Sequence, residues 1–470
     1  MQDENTLREV AKDCVHCGFC LPACPTYQLW AEEMDSPRGR IYLVNQLLDG
    51  APLSAAAAEH FDRCLGCMAC MTACPSGVQY DQLIEAARVW TEEARSAAPA
   101  AGAAGTGPAD AVSADAAPRT MRERAARTAI FSLFPYPRRL RALTAPLRAA
   151  QRTGLDRRLA RSSLPGRVSP ALGAALRLAP PGVSAEAARR LPERVPALGT
   201  RRAVVGMLTG CVQSVFFPQV NASTARVLAA EGCDVIIPRG QGCCGALSMH
   251  TGREAEAITF ARRTIATFEQ AGVDAVVVNS AGCGSAMKEY GRLLGQADAG
   301  WAERAAEMSG KVRDLAEFLA AIGPVARRHP LPVTAAYHDA CHLAHAQRIT
   351  REPRELLRAI PELNLVEVPD AGTCCGSAGV YNLLQPEAAS ELGARKAESV
   401  LATGAQLLIS ANPGCSLQIA SALAGRGQDI AVAHTAEVLD ASIRGRPLEV
   451  FRGSLRPSPG RQVPRPGADT

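Results

Sequence analysis

The sequence predicts an α+β multidomain chain: an N-terminal α-helical ferredoxin-type domain followed by two duplicated α/β domains with parallel sheets. Two internal repeats and one change of texture predict it. The run C-x2-C-x2-C-x3-C-P occurs at Cys14, Cys17, Cys20 and Cys24 and recurs fifty residues on at Cys64, Cys67, Cys70 and Cys74. From residue 201, short β-branched apolar runs alternate with helical periodicity. Within that region a second set of cysteines repeats at an offset of 130 to 132 residues.

The first repeat reads CVHCGFCLPACP and then CLGCMACMTACP. Three thiolates within seven residues wrap one face of a cubane, and in two-cluster ferredoxins the fourth cysteine of each run ligates the other cluster. The spacing therefore assigns Cys14, Cys17, Cys20 and Cys74 to one [4Fe-4S] cluster and Cys64, Cys67, Cys70 and Cys24 to a second. Zinc sites take four ligands, usually as two separated pairs, so eight cysteines in this rhythm fit them poorly. The total of 17 cysteines is odd, which excludes complete disulfide pairing within the chain. This unit spans residues 1–95. Between its motifs, SPRGRIYLVNQLLDG and an Ala/His/Phe segment read as helices. After them, DQLIEAARVWTEEAR places Leu83, Ile84, Ala87 and Trp90 at helical spacing.

Residues 96–200 are expected to be a disordered Ala/Pro linker followed by an arginine-rich segment. Residues 119–202 carry nineteen arginines, no lysine and four acids, a net of +15; the chain as a whole is +5, so the remainder carries −10. Prolines break this stretch into short amphipathic helices around the apolar insert IFSLFPYP. A basic block between acidic domains points to an acidic partner or peripheral contact with an anionic membrane surface. With only Phe131, Phe134 and Tyr136 as stacking groups, it is not expected to bind nucleic acid. No apolar run approaches the roughly 18 residues needed to cross a bilayer. Thiols kept for metal, in a chain opening MQDENTLREV without an apolar leader, predict a cytoplasmic protein, and the arginine-rich segment a peripheral contact with the cytoplasmic face of the inner membrane.

In the α/β region, RRAVVGMLTG, CDVIIP and DAVVVNS read as strands, separated by helical patterns. LPVTAAYHDACH, LNLVEVPDAGTCCGSAG and QLLISANPGCS repeat the same order. Cys211 corresponds to Cys341, Cys243 and Cys244 to Cys374 and Cys375, and Cys283 to Cys415. Residues 201–325 and 326–445 are thus two copies of one unit, and the Pro/Arg-rich tail 446–470 is expected to be disordered. Each cysteine follows a predicted strand, and the carboxyl ends of neighbouring parallel strands converge on one crevice. Four thiols per copy form candidate metal sites. Cys233 has no counterpart and reads as a core residue.

These residues carry a resemblance. The order C…CCG…C in each copy is similar to the CCG (cysteine-rich) domain of heterodisulfide reductases and related respiratory proteins. A two-cluster ferredoxin followed by two such domains resembles the glycolate oxidase iron-sulfur subunit family, with SPRGRIYL (36–43), HDACH (338–342) and SANPGCSLQI (410–419) as local support. One departure is plain. The heterodisulfide type ends each unit in C-x-x-C, whereas here Cys283 is flanked by Ser280 and Ala286, and Cys415 by Asn412 and Gln418. That puts the non-cubane cluster and disulfide chemistry in doubt. A zinc ion, an ordinary cluster with His338, His342 or His250 nearby, or no metal remain open for the CCG copies. The resemblance implies an electron-transfer subunit with no catalytic residue of its own, which does not oxidise substrate alone. It passes electrons from an FAD subunit that oxidises glycolate, with D-lactate as a further substrate, to a membrane quinone. No flavin is expected on this chain: the glycine-rich run GAAGTG (102–107) lies in the Ala/Pro linker rather than between a strand and a helix. The alternatives are a subunit of another 2-hydroxy-acid or glycerol-3-phosphate dehydrogenase, a heterodisulfide-reductase-like thiol-disulfide oxidoreductase, and a structural zinc protein.

Overall fold

The computed structural model describes residues 3–96, 118–162, 164–179 and 190–451. The GAAGTG run, most of the Ala/Pro linker and residues 452–470 lie outside the described residues.

The N-terminal domain is helical, with helices at Glu4–Lys12, Pro25–Trp30, Pro37–Leu48, Ala55–Arg63, Ala69–Ala73 and Tyr80–Ser96. The string SPRGRIYL has a local physical logic. The Ser36 hydroxyl caps a helix by accepting from Gly39 N at 3.0 Å, and Pro37 occupies the first turn, where its missing N–H costs nothing. A Cβ on Gly39 would overlap the Glu33 carbonyl oxygen, so glycine is required there by close approach. Helix Tyr80–Ser96 buries Leu83, Ile84 and Ala87 against Leu7, Val44 and Phe61. Each large apolar side chain so enclosed contributes about 2 kcal/mol. Trp90 stays only partly covered.

The arginine-rich segment is built of helices at Met121–Leu133, Pro137–Thr153, Leu155–Arg161, Leu164–Val168 and Pro170–Arg177, two of them opening on proline. Thr120 and Glu123 form a capping box at the first. Ile130 and Phe131, from the apolar insert, pack on Val380 and Leu383 of the second repeat. Some of the positive charge is neutralised internally. Arg119 and Arg127 are buried, at 3.0 and 2.7 Å from the Glu92 carboxylate on the ferredoxin helix. No helix among the described residues is long and apolar enough to cross a membrane.

The first repeat forms a sheet of β1 (Arg194–Val195), β2 (Ala203–Met207), β3 (Cys233–Ile236), β4 (Ala275–Val278) and β5 (Val312–Asp314), in the order β1-β3-β2-β4-β5. All pairs are parallel except β1 with β3. The second repeat forms β6 (Val333–His338), β7 (Leu363–Glu367), β8 (Leu407–Ser410) and β9 (Ala431–His434), wholly parallel in the order β7-β6-β8-β9. The strands expected from sequence are present, and β3-β2-β4-β5 corresponds to β7-β6-β8-β9. Cys233 is fully buried on β3.

The two sheets share one core that includes Val205, Met207, Tyr337 and Ile409. Their packing is reciprocal. Helix Pro218–Ala230 of the first copy lies on Thr435–Ile443 of the second, and Leu315–Ile322 of the first lies on Arg351–Arg358 of the second. Arg226 grips the buried Asp440 across this interface, with Nη2 at 2.6 Å. Fully buried Glu231 accepts from Val325 N, Ala326 N and Arg328, fixing the connection between copies. The tail starts later than composition implied, because Phe451 in the turn Leu448–Phe451 is buried in this core.

The ferredoxin domain docks on the first repeat at Gly252. A Cβ there would collide with the Arg88 carbonyl oxygen, and the residue has φ of +78°. Gly252→Ala should therefore destabilise the chain by at least about 2 kcal/mol through backbone clash and left-handed strain. The check is the denaturation midpoint, and an unchanged value contradicts this docking.

Candidate metal centres

The two cysteine runs adopt one backbone shape. His16 (φ +53°) corresponds to Gly66 (φ +65°), and Gly18 (φ +87°) to Met68 (φ +60°). Two left-handed residues per run curl the chain, so that sulfurs three and four positions apart turn toward one point. Each run holds glycine at only one of the two positions, and His16 and Met68 bear a strain of about 1 kcal/mol each.

Cys14, Cys17, Cys20 and Cys74 line one cavity together with Arg38, Ile41 and Cys70. Cys74, from the second run, thus faces the same cavity as the first three sulfurs of the first run. Cys17 is exposed at the mouth, beside exposed Val15 and Phe19. Cys24, Cys64, Cys67 and Cys70 are all buried. Burial first, then the nearby Cys67, Cys64 and Cys24, push the Cys70 thiol well above its ordinary range. Cys67 is raised likewise, by burial and then by Cys341. Thiols crowded without water need cations to ionise, and iron clusters supply them, so the buried second set suits such a group; in the half-buried first set Cys14 and Cys20 are likewise raised by burial.

Cys64 differs from its neighbours. Burial alone would raise it, but Arg40 and then Arg88 overcome that effect and hold it below the usual thiol range. Arg40 is 1 % exposed. It donates to the His60 carbonyl at 2.7 Å and to Thr26 Oγ1 at 3.1 Å, and pairs with Asp35 at 3.2 Å. Arg88 Nη2 donates to the Cys64 carbonyl. Cysteine spacing does not point to either arginine; Arg40 lies inside the SPRGRIYL string, where only the likeness to other chains marks it.

In the cysteine-rich copies the four repeated thiols each sit beyond the carboxyl end of a strand: Cys211 and Cys341 after β2 and β6, the CCG loops after β3 and β7, Cys283 and Cys415 in the helices after β4 and β8. The sulfurs of Cys211 and Cys243 lie 3.7 Å apart, and those of Cys341 and Cys374 4.0 Å apart. The CCG glycines, Gly245 (φ +91°) and Gly376 (φ +86°), make the turn; at Gly376 a Cβ would stand 2.7 Å from the Ala389 carbonyl oxygen. Where the heterodisulfide type has a further cysteine, Asn412 instead donates to Cys415 Sγ at 3.3 Å and accepts from Ser280 at 3.3 Å.

Of the three histidines singled out from sequence, His338 faces the thiols, with its ring nitrogen within 4.8 Å of Cys375 and Cys415. Burial, and then Lys396, lower its pKa to about 3. His342 instead bonds the Gly66 carbonyl at 2.8 Å, and His250 stacks edge-on against His342 at 4.6 Å.

The second copy also meets the ferredoxin domain at its thiols. Leu65, Cys67, Cys341, Cys374 and Tyr381 share one apolar cluster. Tyr381 donates to the Arg63 carbonyl at 3.1 Å, and Thr72 bonds His345 at 2.8 Å.

A two-run cysteine ferredoxin joined to two cysteine-rich α/β repeats defines an iron-sulfur protein of the dicluster class. Comparison with known proteins agrees: residues 10–78 match the 4Fe-4S dicluster domain, and residues 205–288 and 335–420 each match the Cysteine-rich domain. Residues 122–179 match the linker region of the glycolate oxidase iron-sulfur subunit. The chain is 34% identical to the probable glycolate oxidase iron-sulfur subunit of Bacillus subtilis (strain 168), over 91% of this chain and 93% of that one. It is likewise 34% identical to the glycolate oxidase iron-sulfur subunit of Escherichia coli (strain K12), over 92% and 94%. Lactate utilization protein A of Shouchella clausii is 32% identical across 50% of this chain and 98% of its own length. The chain belongs to the glycolate oxidase iron-sulfur subunit family.

At the seam between ferredoxin domain and first repeat, Glu85 pairs with Arg292 at 2.6 Å and lies 4.0 Å from His250. Burial raises its pKa to about 7, with Asp81 and Glu289 adding and Arg292 opposing. A carboxyl raised on folding stabilises fully below its unfolded pKa, and that contribution is lost as pH rises through the folded value. His250, held well below its ordinary value by burial, acts in the opposite sense, costing stability in acid. Glu85→Gln should lose less stability than wild type between roughly pH 5 and 8, by about 2 kcal/mol. Denaturant titration across that range is the check, and a wild-type slope overturns it.

Proposed function

We propose that this chain is the electron-transfer subunit of a glycolate-oxidising complex. It holds two [4Fe-4S] clusters, one on Cys14, Cys17, Cys20 and Cys74, the other on Cys64, Cys67, Cys70 and Cys24. Its partners are an FAD subunit that oxidises glycolate, and D-lactate as a further substrate, and a quinone acceptor at the cytoplasmic face of the membrane. Exposed arginines of the 119–202 segment make the peripheral membrane contact. The resemblance to subunits named for glycolate oxidase supports this partnership. The half-length match to lactate utilization protein A supports lactate, without its stereochemistry, as the second substrate.

The observation that carries the reading is the continuity of thiol sites. Exposed Cys17 opens the first set to a docking partner, Cys70 touches the cavity of the first set while belonging to the buried second, and Cys67 packs against Cys341 and Cys374. Such clusters, when bound, take up and release single electrons. The residues around them set the conditions. Arg40 and Arg88 place positive charge beside Cys64, Tyr80 OH lies 3.6 Å from that sulfur, and Gly66 N donates to it at 3.4 Å. These contacts favour the reduced, more negative state, while burial of the second set opposes it by excluding water. The thiol–disulfide reading is weaker, because Ser280, Ala286, Asn412 and Gln418 stand where it needs a fifth sulfur.

Cys67→Ser should remove one of two cluster signals from the EPR spectrum of the reduced protein and cut glycolate-dependent dye reduction by at least about tenfold. Retention of both signals defeats the ligand assignment. Deleting the gene should abolish glycolate-dependent dye reduction in membranes, and undiminished activity refutes the proposed role.

A further inference from the structure

The two cysteine-rich copies share their thiols but differ in two buried groups beside them. His338 is 1 % exposed, and neither ring nitrogen has a hydrogen-bond partner. A neutral imidazole so placed forfeits at least one hydrogen bond, which costs about 1–3 kcal/mol unless something else satisfies it. It stands three residues before Cys341; the residue three before Cys211 is Leu208, also buried and wholly apolar. The second difference is Lys396, 2 % exposed on helix Pro386–Leu401. The matching helix of the first copy, Glu254–Glu269, is also sixteen residues long and carries Thr264 in that place.

We propose that the second cysteine-rich copy holds a single tetrahedral divalent ion of the zinc class on His338, Cys375, Cys415 and Cys374, and that the first copy, lacking the imidazole, does not build this centre. The spacing argues for one ion. Ligand atoms of His338, Cys375 and Cys415 all lie within 4.8 Å of one another, and among the described residues no other three His, Cys, Asp or Glu side chains converge so closely. One ion with bonds of about 2.0–2.3 Å requires ligands within about 4.6 Å of each other. The ferredoxin thiols do not converge to within that 4.8 Å. Cys374, in thiol contact with both Cys375 and Cys341, stands beside the fourth position.

The surroundings match in charge and in hydrogen bonding. Three thiolates and a neutral imidazole on a divalent ion leave one negative charge, and Lys396 brings one positive charge into range of Cys374, Cys375 and His338. The Lys396 ammonium is itself anchored on the Asp370 carbonyl at 2.6 Å. Asn412 Nδ2, donating to Cys415 Sγ at 3.3 Å, orients that sulfur as second-layer donors do at metal sites. In this arrangement the missing fifth cysteine is a change of site: Asn412 supports a ligand where another type of chain supplies one. Because zinc carries no redox change, the centre braces the face on which Cys67 and Cys341 meet.

The test uses the full-length, cluster-loaded protein, incubated with Zn2+, washed with a weak chelator and analysed for metal by mass spectrometry. The expected result is about one zinc per chain beside about eight irons, and a zinc X-ray absorption spectrum with one imidazole nitrogen and three sulfurs. His338→Leu, which installs the residue of the first copy, should retain less than about a tenth of that zinc while both cluster EPR signals persist as proof of folding. No retained zinc in the wild type, an all-sulfur shell, about twelve irons per chain, or full retention by His338→Leu each overturns the proposal. The zinc count is read independently of electron transfer, so it stands or falls apart from the proposed function.

Discussion

Gathering many sulfurs in a space without water is the constraint on which the rest of this structure depends. Thiolates repel one another, and burial raises the free energy of each charge, so the fold must bring compensating cations to the same place. The second ferredoxin set shows the solution most directly. Arg40 reaches Cys64 from helix Pro37–Leu48 and Arg88 from helix Tyr80–Ser96. Arg40 must itself be buried, and burial pulls its pKa down, but Cys64, Tyr80, Cys24 and Asp35 outweigh that loss and hold it charged. Asp35, with no exposed surface, in turn binds His60 and Arg63. The ferredoxin helices are therefore tied together by one polar network as much as by apolar packing.

The same helix that supplies Arg88 also carries Glu85 and Glu92 outward to the rest of the chain. Glu85 meets Arg292 of the first repeat, and Glu92 collects Arg119 and Arg127 of the arginine-rich helices. One seventeen-residue helix thus faces the sulfurs on one side and joins three parts of the protein on the other. Part of the basic block is bound to the ferredoxin domain through these pairs, and its composition reflects internal docking as well as any outer surface.

The duplicated half answers the constraint by symmetry with one exception. Reciprocal helix packing buries an early helix of each copy on the last helix of the other, which closes a single core around both sheets. The crevices at the strand ends are left free to differ. Leu208 and Thr264 keep the first crevice without added charge, while His338 and Lys396 make the second one polar, on the side where it touches Cys67.

By itself, the sequence determined the parts. Fixed cysteine spacings, read with a fifty-residue echo and a second one of about 130, yielded the helical domain, the two parallel sheets, the pairing of sulfurs expected for each cluster and the core role of Cys233, because these rest on local periodicity and repeat. It did not disclose what the parts do to one another. That Arg40 neutralises sulfur, that His342 turns to the Gly66 carbonyl while His338 faces two cysteines, and that Cys67 lies against Cys341 depend on contacts between residues far apart in the chain. Such contacts follow from which faces pack and from where a buried charge finds its partner, and no spacing along the sequence encodes that distance.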